Sequence, residues 1–129
     1  QIEYVCEEML GPAVEAAGAV WRLPTDVYEC DDCVVVKMDV AGLRQGDTDI
    51  TVEGDVITIR GERTDRCPMQ KKFFHRMEVR YGRFDKRIRL GIWFDAENID
   101  ARIEEGFLTL VIPKCEPAET TPVKAHFRV

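Results

Sequence analysis

Along most of the chain, apolar and polar residues alternate with a period of two, the spacing of a β-strand with one buried face. From Leu23 onward this predicts a short strand over Asp26–Cys30, a turn at Asp31-Asp32 and a second strand over Cys33–Val40. In the second strand Val34, Val36, Met38 and Val40 point one way, and Lys37 and Asp39 the other. Ala41-Gly42-Leu43 ends it, and a polar connection runs through Gln45, Gly46 and Asp47. Ile50 and Val52 then alternate with Thr51 and Glu53, Gly54-Asp55 is a two-residue hairpin signal, and Ile57 and Ile59 lead the returning strand. Gly61 to Lys71 reads as a charged loop broken by Cys67-Pro68, followed by strands over Lys72–Arg80 and Arg83–Leu90 with Tyr81-Gly82 between them. Ile99–Glu104, a Glu105-Gly106 turn and Phe107–Ile112 come last, and Pro113 ends the final strand. Short strands at spacings of about 8–12 residues predict an all-β fold, an antiparallel β-sandwich of immunoglobulin-like size, without fixing the order of strands in each sheet.

The ends break the period. Ile2, Val5, Cys6, Met9 and Leu10 recur at helical spacing with Glu3, Glu7 and Glu8 between them, until Gly11-Pro12 stops the pattern. An Ala-rich stretch leads on to Trp21. Residues 1–22 are therefore expected to form a partly helical arm that packs on its own domain or docks on a partner subunit or client. Residues 23–114 form the body, and 115–129, with Pro117 and Pro122, a tail.

Composition narrows the class. The 129 residues suit one domain, are 45% apolar, and include no apolar stretch near the roughly 20 residues of a membrane span. A chain of this size buries about two-thirds of its unfolded surface, so folding requires neither metal nor disulfide. There is no serine and a single asparagine, Asn98, which excludes serine hydrolases; His75 and His126 are too few for a histidine-rich metal site. The five cysteines, Cys6, Cys30, Cys33, Cys67 and Cys115, are an odd number with no visible signal peptide, so a reducing, cytoplasmic location is expected. The sequence opens on Gln1 without a methionine, which leaves room for an upstream segment and a targeting signal within it.

Charge adds a polarity. The net charge is −6, yet residues 60–90 carry eleven Lys and Arg against four Asp and Glu, while the remainder carries seven against twenty. One implication is a nucleic-acid-binding β-domain that uses the basic 60–90 segment, with Phe73, Phe74 and Tyr81 as stacking groups. The other is complementary faces for self-association. Strand alternation scatters the basic residues over both faces, which favours self-association, so no nucleic-acid partner is expected.

Little in the sequence suggests catalysis. Cys30-x-x-Cys33 has the spacing of redox and zinc sites, but zinc normally needs a second ligand pair, and here a turn separates the cysteines rather than a helix N-terminus. The plain interpretation is two ordinary cysteines at a strand–turn–strand junction; redox regulation is the alternative. Glu104-Glu105 and Asp31-Asp32 sit in predicted turns, and adjacent carboxylates do not make the separated acid and base of a glycosidase. His75 has no sequence partner that marks it as a base, and no P-loop pattern occurs. An enzyme is not expected, nor a metal or cofactor. Lys86 is more telling, because it lies on the otherwise apolar row Phe84, Ile88, Leu90. A charge there must be paired or reach water along its stem.

Several segments resemble one family. Ala101-Arg102-Ile103-Glu104-Glu105-Gly106-Phe107-Leu108 is similar to the Ala-x-x-x-Asn-Gly-Val-Leu signature of small heat-shock proteins, and Thr109–Lys114 to that family's closing strand. Pro24–Glu29 resembles its opening strand, Ala41-Gly42-Leu43 its Pro-Gly-Leu turn, and Ile57–Arg63 its Leu-x-Ile-x-Gly-Glu-Arg strand. Tyr81-Gly82-Arg83-Phe84 resembles Tyr-Gly-x-Phe. The likeness keeps its order from about Leu23 to Lys114. Departures are Ala41 for proline, Lys86 for arginine and Leu90-Gly91 for Leu-Pro.

The resemblance, to the bacterial and plant type, implies that residues 23–114 are an α-crystallin domain. It implies an ATP-independent chaperone that holds unfolding proteins, built from dimers assembled into larger oligomers. Residues 64–76 would carry a strand exchanged with the neighbouring subunit, which places Phe73, Phe74, His75 and Lys86 at the dimer interface. A groove bordered by Ile50, Val52, Ile99, Ala101 and Ile103 would accept a neighbour's tail. The family's Ile-x-Ile tail motif is not intact here; its nearest equivalents are Val123 and Ala125, the pair preferred for the proline before it, and Phe127 and Val129.

Overall fold

A computed structural model describes residues 4–7, 22–116 and 124–129. They form nine strands: β1 (Tyr4–Glu7), β2 (Thr25–Glu29), β3 (Cys33–Asp39), β4 (Thr48–Glu53), β5 (Val56–Arg63), β6 (Gly82–Leu90), β7 (Asp100–Glu104), β8 (Phe107–Pro113) and β9 (Lys124–Arg128). One sheet runs β1-β6-β5-β4-β9 and the other β2-β3-β8-β7, with every pairing antiparallel. Among the described residues the single helical element is a 3-10 turn at Ala96–Asn98, whose first turn is capped by the Asp95 carboxylate accepting from the Glu97 N–H.

The period-two pattern explains why the sheets stack. Val34, Val36 and Met38 of β3, Ile50 and Val52 of β4, and Ile57 and Ile59 of β5 are fully buried. Ile88 and Leu90 of β6 and Leu108, Leu110 and Ile112 of β8 join them from their own strands. Each such side chain contributes about 1.5–3 kcal/mol by leaving water. A one-residue slip would turn a whole row outward, so the burial itself fixes each register. The β7–β8 hairpin turns on Glu105 and Gly106, at φ 51° and 82°. A two-residue turn of this hand needs positive φ at both positions, and glutamate tolerates it poorly.

The structure corrects three expectations. The helical spacing of residues 2–10 does not govern their described part, because Tyr4–Glu7 is a strand paired to β6 from Tyr4↔Leu90 to Glu7↔Arg87. Without it, this part of the β6 edge would expose a row of unpaired backbone groups, and so short a helix gains little alone. The remainder of the arm lies outside the described residues. Second, Gly61–Arg63 continue β5 instead of opening a loop, since β5 and β6 stay paired as far as Arg63↔Gly82. Third, Lys72–Arg80 is no strand, and residues 64–81 lie outside every strand. A strand needs a free edge beside it, and β5 is already paired on both sides, to β4 and β6.

Candidate functional site

Two regions stand out from the sandwich: the edge where the tail lies, and the 64–81 segment. At the edge, β9 pairs with β4 in the register Glu53↔Lys124, Val52↔Ala125, Thr51↔His126, Ile50↔Phe127 and Asp49↔Arg128. The ladder closes where the Val129 N–H donates to the Thr48 carbonyl at 2.8 Å and the Thr48 N–H to the Val129 carbonyl at 3.2 Å. Alternation then divides the tail. Ala125, Phe127 and Val129 are half-buried against the core together with Ile99, Ala101 and Ile103, whereas Lys124, His126 and Arg128 are exposed. Val123 lies outside the described residues. Ile50 and Val52 are core residues with no exposed side chain. Beyond that shared core, β4 offers the tail its backbone edge and its outward carboxylates.

Those carboxylates make an ionic clasp. Asp49 Oδ1 accepts from Arg128 Nε at 3.1 Å and lies 3.1 Å from His126 Nε2, and Glu53 Oε1 lies 3.4 Å from Lys124 Nζ. The Arg128 hydrogen bond, ahead of the contribution from His126, holds the Asp49 carboxyl below its ordinary value. A group with a depressed value in the docked state favours docking above its ordinary pKa, and that contribution fades as pH falls through the depressed value. Exposed pairs of this kind are worth about 0–1 kcal/mol. In Asp49→Asn, amide hydrogen exchange in β9 at neutral pH is expected to quicken about two- to five-fold. The variant should also lose the acid-dependent quickening of the wild type. Equal exchange in both proteins would remove Asp49 from the clasp.

The second region begins where β5 ends. Arg63 Nε donates to the Arg80 carbonyl at 2.8 Å and Arg63 Nη1 to the Ala41 carbonyl at 2.9 Å, which joins the two ends of the segment to the Ala41-Gly42 turn. Arg66 lies 3.3 Å from Asp47 Oδ2, whose carboxyl is held below its ordinary value first by the Arg44 backbone N–H and then by Arg66. Beyond this root the apolar side chains face water. Phe73 is 83% exposed, Phe74 57%, Met69 74% and Met77 72%. His75 is exposed with them, while Lys86 is buried in β6 opposite Ile59, on the row of Phe84 and Ile88. The residues expected at a dimer interface are thus divided between an exposed segment and a core row.

Asp49, Glu53, His126, Arg63 and Arg66 were not singled out from the sequence. Basic residues at every second position of the tail could have signalled the clasp, since they match the outward acidic residues of β4.

The described residues form a two-sheet sandwich with a tail strand added to one edge and, between β5 and β6, a long charged segment that exposes large apolar side chains. The model of the Hsp20/alpha crystallin family matches residues 26–126. Small heat shock protein C2 of Rickettsia felis is 31% identical over 100 residues, covering 78% of this chain and 65% of that one. The 17.9 kDa class II heat shock protein of Helianthus annuus is 35% identical over 107 residues, covering 82% and 67%. A solved small heat-shock protein from Xylella fastidiosa superposes with a TM-score of 0.68 at 32% identity, over 83% of this chain and 96% of that one. The chain belongs to the Hsp20/alpha crystallin family, and it spans about two-thirds of the length of these curated relatives. Membership supports a chaperone role.

Proposed function

We propose that the chain is an ATP-independent holdase that binds unfolding proteins and prevents their aggregation in the cytoplasm. It works as homodimers assembled into larger oligomers, and as a binding protein, not an enzyme. The observation that carries this is the 64–81 segment, which holds Met69, Phe73, Phe74, Met77 and Val79 in water at 57–83% exposure. Exposed apolar surface on a stable scaffold can cover the apolar surface of an unfolding client and so compete with client–client contact. Structureless connections longer than about 12–15 residues are uncommon in compact domains and usually functional. The same segment supports dimerisation: Phe73, Phe74 and His75 would reach the partner, and Lys86 would supply an ionic contact near the subunit boundary.

The β4 edge supports assembly. It already takes an antiparallel tail strand within one chain, and a neighbour's Ala125, Phe127 and Val129, with Val123 ahead of them, would enter beside Ile99, Ala101 and Ile103 in the same way. The likeness to a bacterial protein described as having a distinct high order structure is consistent with this. The purified chain is expected to suppress heat-induced light scattering of a model client at near-stoichiometric ratios without nucleotide. Suppression that requires ATP, or that is absent across several unrelated clients, would overturn the proposal.

A further inference from the structure

We propose that Cys30 and Cys33 are a redox-active dithiol, closed to a disulfide by peroxides. The β2–β3 register runs Thr25↔Met38 to Glu29↔Val34, and carried one residue further it sets Cys30 directly opposite Cys33 across the Asp31-Asp32 turn. The Cys30 N–H donates to the Cys33 carbonyl at 2.8 Å, so the pairing extends to this position. Hydrogen-bonded pairs in such a ladder have Cα atoms about 5.5 Å apart, inside the span of about 4.4–6.8 Å that a disulfide bridges. Opposed residues share a face. Here it is the outer one, because Val34 and Val36 on the alternate row are buried. Both thiols are free, Cys30 exposed and Cys33 half-buried.

The surroundings suit different roles for the two. Burial, and next the hydrogen bond with Cys30, pushes the Cys33 thiol up, so it keeps its proton. Cys30 is the more accessible to an oxidant. Lys114 Nζ donates to the carbonyls of Cys30 at 2.8 Å and Asp31 at 3.2 Å and pairs with Glu29, which fixes the turn that holds the two cysteines opposite each other. Oxidation of a thiol also depends on its exposure, and Cys30 is exposed.

The chemistry balances with a hydroperoxide as oxidant. The Cys30 sulfur attacks the outer peroxide oxygen, the O–O bond breaks, the leaving oxygen takes up the Cys30 thiol proton, and the products are a sulfenic acid at Cys30 and the corresponding alcohol or water. The Cys33 sulfur then attacks the Cys30 sulfur, an S–S bond forms, and the sulfenic hydroxyl leaves as water with the Cys33 proton. Because the loop closed is only four residues long, the bond adds little stability, and what it changes is the freedom of the β2 end at the sheet edge.

The test treats the full chain with hydrogen peroxide, alkylates the remaining thiols and maps tryptic peptides without reduction. The peptide spanning residues 23–37 holds both cysteines. It is expected unalkylated and lighter by two hydrogens, about 2 Da, with dithiothreitol restoring both thiols. Cys33→Ser should instead leave a dimedone-reactive sulfenic acid at Cys30. Recovery of both cysteines alkylated at a peroxide dose that oxidises exposed Cys67, or their linkage to Cys67 or Cys115 instead of each other, would overturn the proposal.

Discussion

Replacing Gly61 by alanine is expected to lower the stability of the sandwich by about 3 kcal/mol, at the upper end of the usual range for overpacking. A Cβ on Gly61 would stand 2.4 Å from Phe84 Cζ, 2.8 Å from Phe84 Cε1 and 2.7 Å from the Asp47 carbonyl oxygen. Neither neighbour can step aside. Phe84 is 3% exposed and is the cross-strand partner of Gly61, so its ring occupies the space a side chain would need. Asp47 is held by its own turn, its N–H donating to the Arg44 carbonyl at 3.0 Å and its carboxylate accepting from the Arg44 N–H at 2.8 Å. Against a total stability of about 5–15 kcal/mol, the loss should lower the thermal midpoint by about 10–20 °C. Circular dichroism melting of the variant checks this. Adding Phe84→Leu should not restore stability fully, because the carbonyl of Asp47 remains in the way and the shortened side chain leaves a void. A midpoint within about 2 °C of wild type would mean that the backbone here opens without cost.

That glycine shows how far the sequence can be read. Its place after Ile57 and Ile59 in a segment resembling a family strand marked it as part of a motif, but alternation alone could not say that a ring lay over it. Strands β3, β5, β6 and β8 were legible because each has one row in the core, and a period of two is all that such burial imposes on a sequence. The pairing order was not, since period-two strands are interchangeable until turns and edges choose among them. Tyr4–Glu7 was misread because four residues carry too little periodicity to tell a strand from a helical turn, and the open side of β6 decided the matter from far along the chain. Lys72–Arg80 alternates like a strand, yet alternation supplies only a face, and a strand needs an edge as well. At the tail, the apolar positions Ala125, Phe127 and Val129 were visible as candidates, whereas the contribution of Asp49 required knowing that β9 lies beside β4.

Removing residues 67–77 is expected to leave the sandwich folded while breaking the proposed dimer contact and lowering client protection several-fold. The hairpin does not need this length: Arg63 and Gly82 are already cross-strand partners, so a turn of a few residues would join β5 to β6. The deletion spares Arg63 with its bonds to Ala41 and Arg80, and Arg66 with its contact to Asp47. Seven residues then close a gap that eighteen close now, which by loop entropy alone stabilises the domain by at most about 1 kcal/mol. The core is not touched, because residues 67–77 are exposed throughout. What the deletion removes is the exposed Met69, Phe73, Phe74 and Met77, together with His75. Since Phe73 and Phe74 are adjacent, an extended segment points them to opposite sides, and both are exposed in the single chain, where a partner could cover them. Mass from light scattering should therefore fall below that of the wild type, the tail contact at β4 being the one left, while the melting midpoint stays within a few degrees of wild type. A dimer of unchanged mass would place the subunit contact elsewhere on the sandwich, and full client protection by the deleted protein would move client binding away from this segment.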